Sequence, residues 1–475
     1  MAKVGPENLQ FIVLAAGKGT RMRSSLPKVL HPVCGQSLLE RTIRACAECG
    51  PSKVVVVIGH GEALVRQELE EISKNNNFQE GFLDVCVQSE QNGTGHAVQL
   101  AIEHIDENCS DVLITSGDTP LIEGKTFLEL IENSGSDNTL SVLSFAPEDP
   151  HGFGRICRND AGEVCAIVEE KDCTAEQKEI SEVNSSIYLA KREFLKNVLP
   201  KLQPNNAQGE LYLTDIVSLG IEAGVSVRGV CSKDADSVAG ANTRAELAEL
   251  EAERRKRINT AHMDAGVTLR DPATTYIDED VEIGPDTVIG PGVLLSGKTK
   301  VGQNVTIEAH SELRNAIVSD GVHIRLSCRI YDSEVGESSA LGPFAHLRPG
   351  SKLSKDVRIG NFVETKKATL DKGAKVNHLS YVGDASVGAD ANLGAGTITC
   401  NYDGYKKSIT EIGEGAFVGS NSALIAPVKI GKGAVVAAGS SISKNVPDDA
   451  LGIVRAEQRE ISDWAKKRRE KQNLK

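Results

Sequence analysis

A glycine-rich stretch near the N-terminus contains residues that could hold a phosphorylated substrate. The segment LAAGKGTRM runs from Leu14 to Met22 at the end of an apolar run, and Lys28 follows after a proline. Small residues let backbone N–H groups approach a triphosphate, whose charge Lys18, Arg21 and Lys28 could neutralise. The spacing is neither that of a P-loop nor G-x-G-x-x-G, so neither a kinase nor a dehydrogenase mechanism is predicted.

An aspartate ends a second apolar run, in the segment DVLITSGD. Transfer of a phosphoryl-type group needs a hard cation on the phosphates, and carboxylate and amide oxygens are its preferred ligands. Asp118 is therefore a candidate magnesium ligand. The alternative is an aspartate that only caps the end of a strand.

A histidine in the second half of the chain is the third candidate. His378 lies in the segment NHLSYVGDAS, near Lys, Arg, Asn and Tyr residues. Imidazole titrates near neutral pH and can act as a general base. A lone histidine is more often a surface residue, so the catalytic interpretation depends on the element that carries it.

The element that carries His378 is indicated by a repeat in the sequence, in which an aliphatic residue recurs at every sixth position. The count restarts once at Val318 and slips by one at Val335. A period of six fits neither a helix nor a simple strand, and it is typical of a parallel β-helix whose stacked coils bury one aliphatic column. One or two such pairs could be unrelated strand–turn units. The run is longer: Ile283, Ile289, Leu295, Val301, Ile307, Leu313, Val318, Val335, Leu341, Leu347, Leu353, Ile359, Ile412, Val418, Leu424, Ile430, Val436 and Ile442.

The six-residue count lapses around His378. It holds up to Ile359 and is next met at Val376 and Val382. This lapse, within a cluster of Lys, Arg, Asn and Tyr residues, favours a catalytic site at His378 over a plain surface histidine.

The first 240 residues alternate apolar runs with amphipathic segments. FIVLAAG, KVVVVIG, DVCVQ and DVLITSGD resemble buried strands, whereas SLLERTIRACAE and GTGHAVQLAIEHI have helical spacing. This alternation predicts an α/β fold with a largely parallel sheet, which binds ligands beyond the C-terminal ends of its strands.

A charged segment without Pro or Gly follows, from about Thr243 to His262. It predicts a solvent-exposed helix between domains, with Thr243 or Asn242 as its N-cap. The predicted domains are residues 1–244, the linking helix 245–265 and the β-helix 266–475. The terminal segment WAKKRREKQNLK is basic and is predicted to be a frayed or packed tail.

Composition excludes several classes of protein. A chain of 475 residues with 40% hydrophobic and 25% charged residues is typical of a globular protein with two or three domains. A net charge of −13 argues against nucleic-acid binding, which needs a basic face. The apolar stretch from Phe11 to Ala16 is too short to span a membrane.

The cysteines indicate a reduced, cytoplasmic protein. Their number, 11, is odd, they are scattered, and no signal peptide precedes them. Cys46 and Cys49 form a C-x-x-C, but no second pair follows at zinc spacing, so buried or surface thiols are predicted rather than a metal site.

The whole string G-x-G-T-R-M-x(4)-P-K-x-L resembles the sugar-1-phosphate nucleotidylyltransferases. The resemblance places the nucleotide against the loop and the segment QSEQNGTGHA, and the sugar against GFGRI, IVEEKD and VNSSI. In VNSSI the family usually has N-T-G in place of NSS. A second metal ligand is implied in GANTR. The residues that it implies for UTP and UDP-N-acetylglucosamine are Leu14, Ala15, Ala16, Gly17, Lys28, Gln88, Gly93, Thr94, Gly154, Glu169, Asn184 and Asn242, with Asp118 and Asn242 on the metal.

The C-terminal motifs FAHLRPG, IGNFVETKKA, NHLSYVGDASVGADANLGAGTITCNYDG and FVGSNSALIAPV extend the resemblance to nearly the whole chain. With both halves considered, the chain resembles the bifunctional enzymes of bacterial UDP-N-acetylglucosamine synthesis. In these, an N-acetylglucosamine-1-phosphate uridylyltransferase is joined to a glucosamine-1-phosphate acetyltransferase on a left-handed β-helix. The resemblance implies His378 as general base, Arg348, Lys366, Tyr381 and Asn392 around the sugar phosphate, and Ala395, Asn401, Tyr402, Ser420, Ala438 and Arg455 around acetyl-CoA.

The same resemblance implies substrates and assembly. Glucosamine 1-phosphate would be acetylated by acetyl-CoA, and the product joined to UTP with Mg2+, as a precursor of cell wall and lipopolysaccharide. A cytoplasmic homotrimer is implied, with acetyl-transfer sites between subunits. Direct attack of the amine on the thioester is favoured over an acyl-enzyme, for which Cys400 is the one candidate.

Two rival functions remain at this stage. One is a nucleotidylyltransferase whose β-helix is only regulatory or structural, and His378 with Lys366 and Arg348 argues against it. The other is a non-catalytic binding module on the same folds, which would be expected to lose the glycine loop or Asp118.

Overall fold

The computed structural model describes residues 8–135 and 140–472. The chain separates into two compact units, the first ending at Arg255 and the second beginning at Lys256. Within the described ranges, no helix combines the length and the apolar character that a membrane span needs.

A mostly parallel sheet forms the centre of the first unit, which confirms the predicted α/β class. The strand Leu9–Leu14 lies in the middle, between Lys53–Ile58 and Asp111–Ser116. The strand order reverses beside it, and ligands bind at such a point beyond the C-terminal ends of the strands. Across the sheet the strands are Val227–Cys231, Leu140–Phe145, Val183–Lys191, Asp111–Ser116, Leu9–Leu14, Lys53–Ile58 and Leu83–Val87.

Smaller elements complete this unit. The hairpin Arg155–Arg158 and Val164–Val168 pairs with the antiparallel strand Val183–Lys191, and Pro32–Val33 pairs with Gln36–Ser37. The α-helices are Leu38–Glu48, Glu62–Asn75, Thr94–Ala101, Gly124–Asn133, Ala175–Lys178, Arg192–Val198 and Asp215–Glu222. The 3-10 helices are Thr20–Met22, Lys28–Leu30, Ile102–His104, Glu170–Asp172, Leu199–Lys201 and Asp236–Val238.

The two faces of the sheet bury separate cores. Ile12 packs into one core, while its neighbours Phe11 and Val13 pack into the other. Successive side chains of a strand point to opposite faces, so a strand covered on both faces must be apolar throughout. This explains the uninterrupted apolar runs of the sequence.

The C-x-x-C lies at the end of the helix Leu38–Glu48. Both thiols are free and buried, and burial, with a contribution from Glu48, raises the pKa of Cys49 to about 12. Among residues 8–135 and 140–472, no three His, Cys, Asp or Glu side chains are arranged to hold a metal ion.

The charged helix extends from Arg244 to Asp264. Thr243 is the capping residue, because its hydroxyl accepts the backbone N–H of Glu246 at 3.2 Å. The predicted exposure is wrong for three positions: Leu247 and Ile258 are each 8% exposed and Asn259 1%. Leu247 and Ile258 are about three turns apart and so lie on one side of the helix, a spacing that the surrounding charges obscured.

The second unit is a parallel β-helix with three faces, as predicted. Strands of successive coils pair in parallel with offsets of 17 or 18 residues in most coils, so three hexapeptides make one coil. The first face is Thr268–Leu269, Val288–Ile289, Thr306–Ile307, His323–Ile324, Ala340–Leu341, Arg358–Asn361, Lys375–His378, Asn392–Leu393, Phe417–Val418, Val435–Val436 and Leu451–Gly452.

The other two faces are joined by two long strands, Glu364–Leu370 and Tyr381–Val387, which continue round the corner between them. The second face is Tyr276–Ile277, Leu294–Ser296, Glu312–Arg314, Arg329–Tyr331, His346–Leu347, Ile398–Cys400, Ala423–Ile425 and Ser441–Ile442. The third face is Glu282–Ile283, Lys300–Val301, Ile317–Val318, Glu334–Val335, Lys352–Leu353, Thr410–Ile412 and Val428–Ile430.

The β-helix continues without a break through the stretch before His378 in which the aliphatic count lapses. Thr365 and Leu370 are both fully buried and occupy the positions where the aliphatic count lapsed. Thr365 pairs in register with Leu347 and Val382. Its hydroxyl is hydrogen-bonded to Ser351 at 2.8 Å, and a paired hydroxyl can replace an aliphatic group in a core. A polar core residue therefore hid the register from a count of aliphatic residues.

The chain after Gly452 is exposed along its whole described length, including the helix Trp464–Gln472. Trp464 itself is 53% exposed. Within this chain the basic tail does not pack into a core.

Candidate functional site

One cationic side chain joins the residues implied for the metal. The Lys28 ammonium forms an ion pair with Asp118 and donates to the Asn242 side-chain oxygen at 2.7 Å. Arg21 donates to the same oxygen at 2.8 Å. Burial by itself raises the pKa of the Asp118 carboxyl, but Lys28 and the Ser116 hydroxyl outweigh it and hold that pKa below its usual range. Asp118 is therefore ionised at neutral pH.

These donors fit a magnesium ion. Asp118 contributes a carboxylate oxygen and Asn242 an amide oxygen, both hard ligands of the type that Mg2+ prefers. Because the single Lys28 ammonium contacts both oxygens, they face one point at which a cation is held.

The glycine-rich loop leaves the end of the central strand. Leu14 accepts the N–H of Gly117 at 2.9 Å, and Ala15 donates its N–H to Val57 at 2.8 Å, so the start of the loop is tied to both neighbouring strands. A side chain at Gly17 would meet nothing within 4 Å, so the backbone there is open to a ligand. Ala16 lies beside the segment that carries Gln88, since both approach Gly59.

The predicted base-reading residues form a compact turn. The Gln88 side chain is buried, and its amide donates to the Gly93 carbonyl at 3.0 Å. Gly93 has φ 104°, and a side chain there would collide with the Leu211 backbone. Thr94 accepts the Leu213 N–H at 3.1 Å through its hydroxyl.

The three residues predicted for the sugar are adjacent. Asn184 donates its backbone N–H to Gly154 at 2.8 Å, and the Glu169 carboxylate lies beside Gly154. Burial raises the pKa of Glu169, and the Thr214 hydroxyl donates to it at 3.3 Å. Two buried residues that sequence reasoning missed, Thr214 and Tyr188, complete this group.

In the second unit, His378 lies at the end of its strand and one coil beyond Asn361. The two residues pair in register, and the histidine Nδ1 is 3.1 Å from the Asn361 side-chain oxygen. The His378 carbonyl accepts the Gly396 N–H at 3.2 Å from the next coil. The imidazole is therefore oriented but accessible to a substrate.

The predicted phosphate clamp is a column of cations on the second face. Arg348 and Lys366 occupy equivalent positions on successive coils, since Leu347 pairs with Thr365. Glu364 holds Arg348 at 2.7 Å and raises its pKa. Lys407 lies against Lys366, and this second ammonium, followed by Arg348, lowers the pKa of Lys366.

The remaining sugar-phosphate residues divide between two faces. Tyr381 follows Glu364 on the same ladder, one coil further along the second face. Asn392 is on the first face, paired with Lys375 and Phe417.

The residues predicted for acetyl-CoA occupy consecutive coils. Ala395 accepts the Asn421 N–H at 2.7 Å, and Ser420 accepts the Gly439 N–H at 2.8 Å, so Ala395, Ser420 and Ala438 follow one edge. Asn401 bonds to Asp384, and Tyr402 is 59% exposed. Arg455 lies beyond the last strand.

Four neighbours of these residues were missed by sequence reasoning. Three are one coil from a predicted residue, so adding or subtracting 16 or 17 would have found them once the β-helix was accepted. Lys407 is different, because it belongs to the loop that enlarges the coil between Ile398–Cys400 and Thr410–Ile412. The missed residues are Asn361, Glu364, Asp384 and Lys407.

Three family models match the chain. A MobA-like NTP transferase domain matches residues 11–180. A GMPPB C-terminal domain matches residues 272–369, and six repeats of the bacterial transferase hexapeptide match residues 409–444.

Relatives match almost from end to end, and each is named bifunctional protein GlmU. One from Trichlorobacter lovleyi is 42% identical over 97% of this chain and 98% of its own length. One from a Geobacillus species is 44% identical over 94% of this chain and 95% of its own, and one from Sorangium cellulosum is 44% identical over 97% and 96%. The resemblance noted in the sequence is thereby confirmed, and the chain belongs to the family of bifunctional GlmU proteins.

Proposed function

We propose that the chain acetylates glucosamine 1-phosphate with acetyl-CoA in its β-helix and then joins N-acetylglucosamine 1-phosphate to UTP in its first unit. Membership of the GlmU family makes it a two-activity transferase. The observation that carries the residue assignments is the presence in one chain of Lys28, Asp118 and Asn242 around one point. In the β-helix, it is an oriented, exposed His378 and a column of cations on neighbouring coils. Both rival functions therefore lose their basis.

His378 is the proposed general base of acetyl transfer. Its Nδ1 faces the Asn361 side-chain oxygen, an acceptor, and in the tautomer that donates from Nδ1 to this oxygen, Nε2 is free to accept a proton. Nε2 takes a proton from the substrate amine as the nitrogen attacks the thioester carbonyl, and the CoA thiolate leaves. The Asn401 amide or a backbone N–H would stabilise the oxyanion.

Arg348 and Lys366 are the proposed clamp for the sugar phosphate. Two cations on successive coils match a phosphate dianion, and Lys407 adds a third charge that the lowered pKa of Lys366 already reflects. Tyr381 and Asn392 are proposed to position the sugar. Ala395, Asn401, Tyr402, Ser420, Ala438 and Arg455 are proposed to bind acetyl-CoA.

In the first unit, Asp118 and Asn242 would hold Mg2+, which neutralises charge on the triphosphate. Leu14, Ala15, Ala16 and Gly17 are proposed to present their backbone to the phosphates, with Lys28 as a cationic partner. Gln88, Gly93 and Thr94 are proposed to bind the uracil and nucleotide, and Gly154, Glu169 and Asn184 the sugar. The sugar phosphate oxygen then displaces pyrophosphate from UTP.

Assembly and location extend the proposal. A homotrimer with acetyl-transfer sites between subunits is supported by the exposure of His378 and of the aromatic pair Phe344 and Phe362, whose stacked rings are 45% and 55% exposed. The cytoplasm is supported by the free cysteines. The division into residues 1–244, 245–265 and 266–475 is proposed as the functional division.

A coupled assay tests the proposal. The pure protein is mixed with glucosamine 1-phosphate, acetyl-CoA, UTP and Mg2+, and CoA and pyrophosphate are followed separately. Both products should form, and pyrophosphate release from the unacetylated sugar phosphate should depend on acetyl-CoA. Release of only one product would contradict a two-activity enzyme. An acetyl group found on Cys400 after mixing with acetyl-CoA alone would overturn direct transfer.

A further inference from the structure

The sugar-side strand of the first unit contains a bulge built around Asn184. Its pairing with Leu140–Phe145 shifts between Asn184 and Ile187. Ser186 has φ 62°, the left-handed region that favours glycine. The Ser185 hydroxyl donates to the Leu143 carbonyl at 2.6 Å, which anchors the bulge to the next strand. The bulge re-aims the Asn184 side chain, as bulges beside sites commonly do.

The direction of the Asn184 amide is determined by its neighbours. Its side-chain oxygen accepts the backbone N–H of Ser186 at 3.1 Å, and a backbone N–H can only donate. The NH2 end therefore faces the other way, towards the Tyr188 hydroxyl at 2.8 Å. One N–H and one lone pair of the amide remain for a ligand.

Tyr188 is placed to hold that orientation. It is 1% exposed, its ring belongs to the core of the unit, and its hydroxyl accepts from Asn184. While the Tyr188 hydroxyl accepts from Asn184, its own hydrogen is still available to another acceptor. Burial, followed by the negative charge of Glu169, raises the pKa of this hydroxyl, so it stays protonated. The ring of Tyr188 packs in the hydrophobic core, so its hydroxyl is the part that acts on the proposed sugar-binding residues.

We propose that Tyr188 is a positioning residue for the sugar phosphate: its buried hydroxyl holds the Asn184 amide in the orientation that binds the sugar. This rests on the proposed role of Asn184. Tyr188 itself does not touch the substrate, so its effect on binding must pass through Asn184.

The test is a double-mutant cycle with Tyr188→Phe and Asn184→Ala. Tyr188→Phe keeps the ring, and it should raise the KM for N-acetylglucosamine 1-phosphate about fivefold to tenfold, the factor for one hydrogen bond lost. The KM for UTP should stay the same, and kcat should change less than twofold. In the Asn184→Ala background, Tyr188→Phe should change the KM less than twofold, because the group that it positions is gone.

Thr214→Val is the matched control. It removes another buried hydroxyl of the same pocket, whose partner is Glu169 and not Asn184. Its effect on the KM should be the same factor with and without Asn184. If Tyr188→Phe melts too low to assay, the cycle is repeated in Ser186→Gly, which relieves the backbone strain and retains the N–H that orients Asn184.

The failures are distinguishable. If Asn184→Ala leaves the KM for the sugar phosphate unchanged, the proposed role of Asn184 is wrong and the inference falls with it. If Asn184→Ala raises the KM while Tyr188→Phe does not, or does so equally without Asn184, only the positioning role of Tyr188 is wrong.

Discussion

The two proposed sites of this chain are assembled in opposite ways. In the first unit, Lys28 meets Asp118 and Asn242, which are 90 and 214 positions away in sequence. In the β-helix, Arg348 meets Glu364 at a separation of 16, and Asn361 meets His378 at 17. The first site therefore depends on the whole α/β fold, whereas the second depends on adjacent coils.

The ion pair of the first site is also more deeply buried than that of the second. The side chains of Lys28 and Asp118 are 13% and 19% exposed, whereas those of Arg348 and Glu364 are 40% and 38% exposed. A buried ion pair cannot lose one partner without a large cost, whereas water screens an exposed pair. Charge changes in the first site should thus alter stability as well as activity, and those in the second should alter activity alone.

The largest effect is expected at the exposed site. His378→Ala should lower acetyl transfer about 10²- to 10⁴-fold, the range for removal of a general base, with little change in melting temperature. The remaining rate should rise with pH more steeply than in the wild type, since the ammonium must lose its proton to solvent. CoA release measures this, and pyrophosphate release from N-acetylglucosamine 1-phosphate is the control. Near-normal CoA release would leave the base unidentified.

Asp118→Asn should lower uridylyl transfer about 10²- to 10³-fold, the effect of losing one preorganised electrostatic group. Acetyl transfer should remain at the wild-type rate, because the proposed metal ligands Asp118 and Asn242 both belong to the first unit. A folded variant that loses both activities would break the separation of the two sites.

Lys28→Met should destabilise the first unit by about 3 kcal/mol at neutral pH, because it leaves Asp118 buried without its cation. With Lys28, the lowered pKa of Asp118 adds stability that is present above its unfolded pKa of about 3.9 and is lost as pH falls through the folded value. Without Lys28, burial raises that pKa, so the variant regains stability as pH falls. The difference in melting temperature between the wild type and Lys28→Met should therefore become smaller from pH 7 to pH 4.5.

The matched control is Lys53→Met, which breaks another Lys–Asp pair of the same unit. Its partner Asp106 is 45% exposed, so the loss and its pH dependence should both be smaller. If Lys28→Met and Lys53→Met lose the same free energy of unfolding, burial of the ion pair does not determine its contribution to stability.

A fragment ending at residue 255 should be more stable than one ending at 244, by about 2 kcal/mol. The longer fragment keeps the buried Leu247 and the ion pair between Arg254 and Glu123 at 3.0 Å. Both should form UDP-N-acetylglucosamine from pre-acetylated sugar phosphate. Urea unfolding compares them, and equal midpoints would place the boundary at 244.

The smallest effect is expected on the third face of the β-helix. Glu and Lys alternate there across coils, with Lys300 on Glu282 at 2.8 Å and Lys352 on Glu334 at 2.7 Å. Lys352→Ala should change stability by about 0.5 kcal/mol or less and leave both activities unchanged. A loss of acetyl transfer would show that exposed charges of this unit act beyond their own coil.

Periodic patterns made much of this fold predictable from the sequence. The six-residue aliphatic repeat specified the β-helix because every coil buries the same interior positions. It failed where a threonine such as Thr365 replaced an aliphatic residue, since a hydrogen bond inside the core has no signature in a hydrophobic pattern. The four apolar runs of the first half were strands for a similar reason, as both faces of their sheet are covered.

Tertiary structure decided which polar side chains meet. The sequence could identify Lys28, Asp118 and Asn242 as candidates by resemblance, but their contact at one point depends on strand order, a long-range property. Thr214 carried no motif, and only the fold brings its hydroxyl to Glu169, 45 positions away in sequence. A sequence by itself determines the local repeats that bury apolar surface, whereas the partners of its buried polar groups are chosen when distant segments pack together.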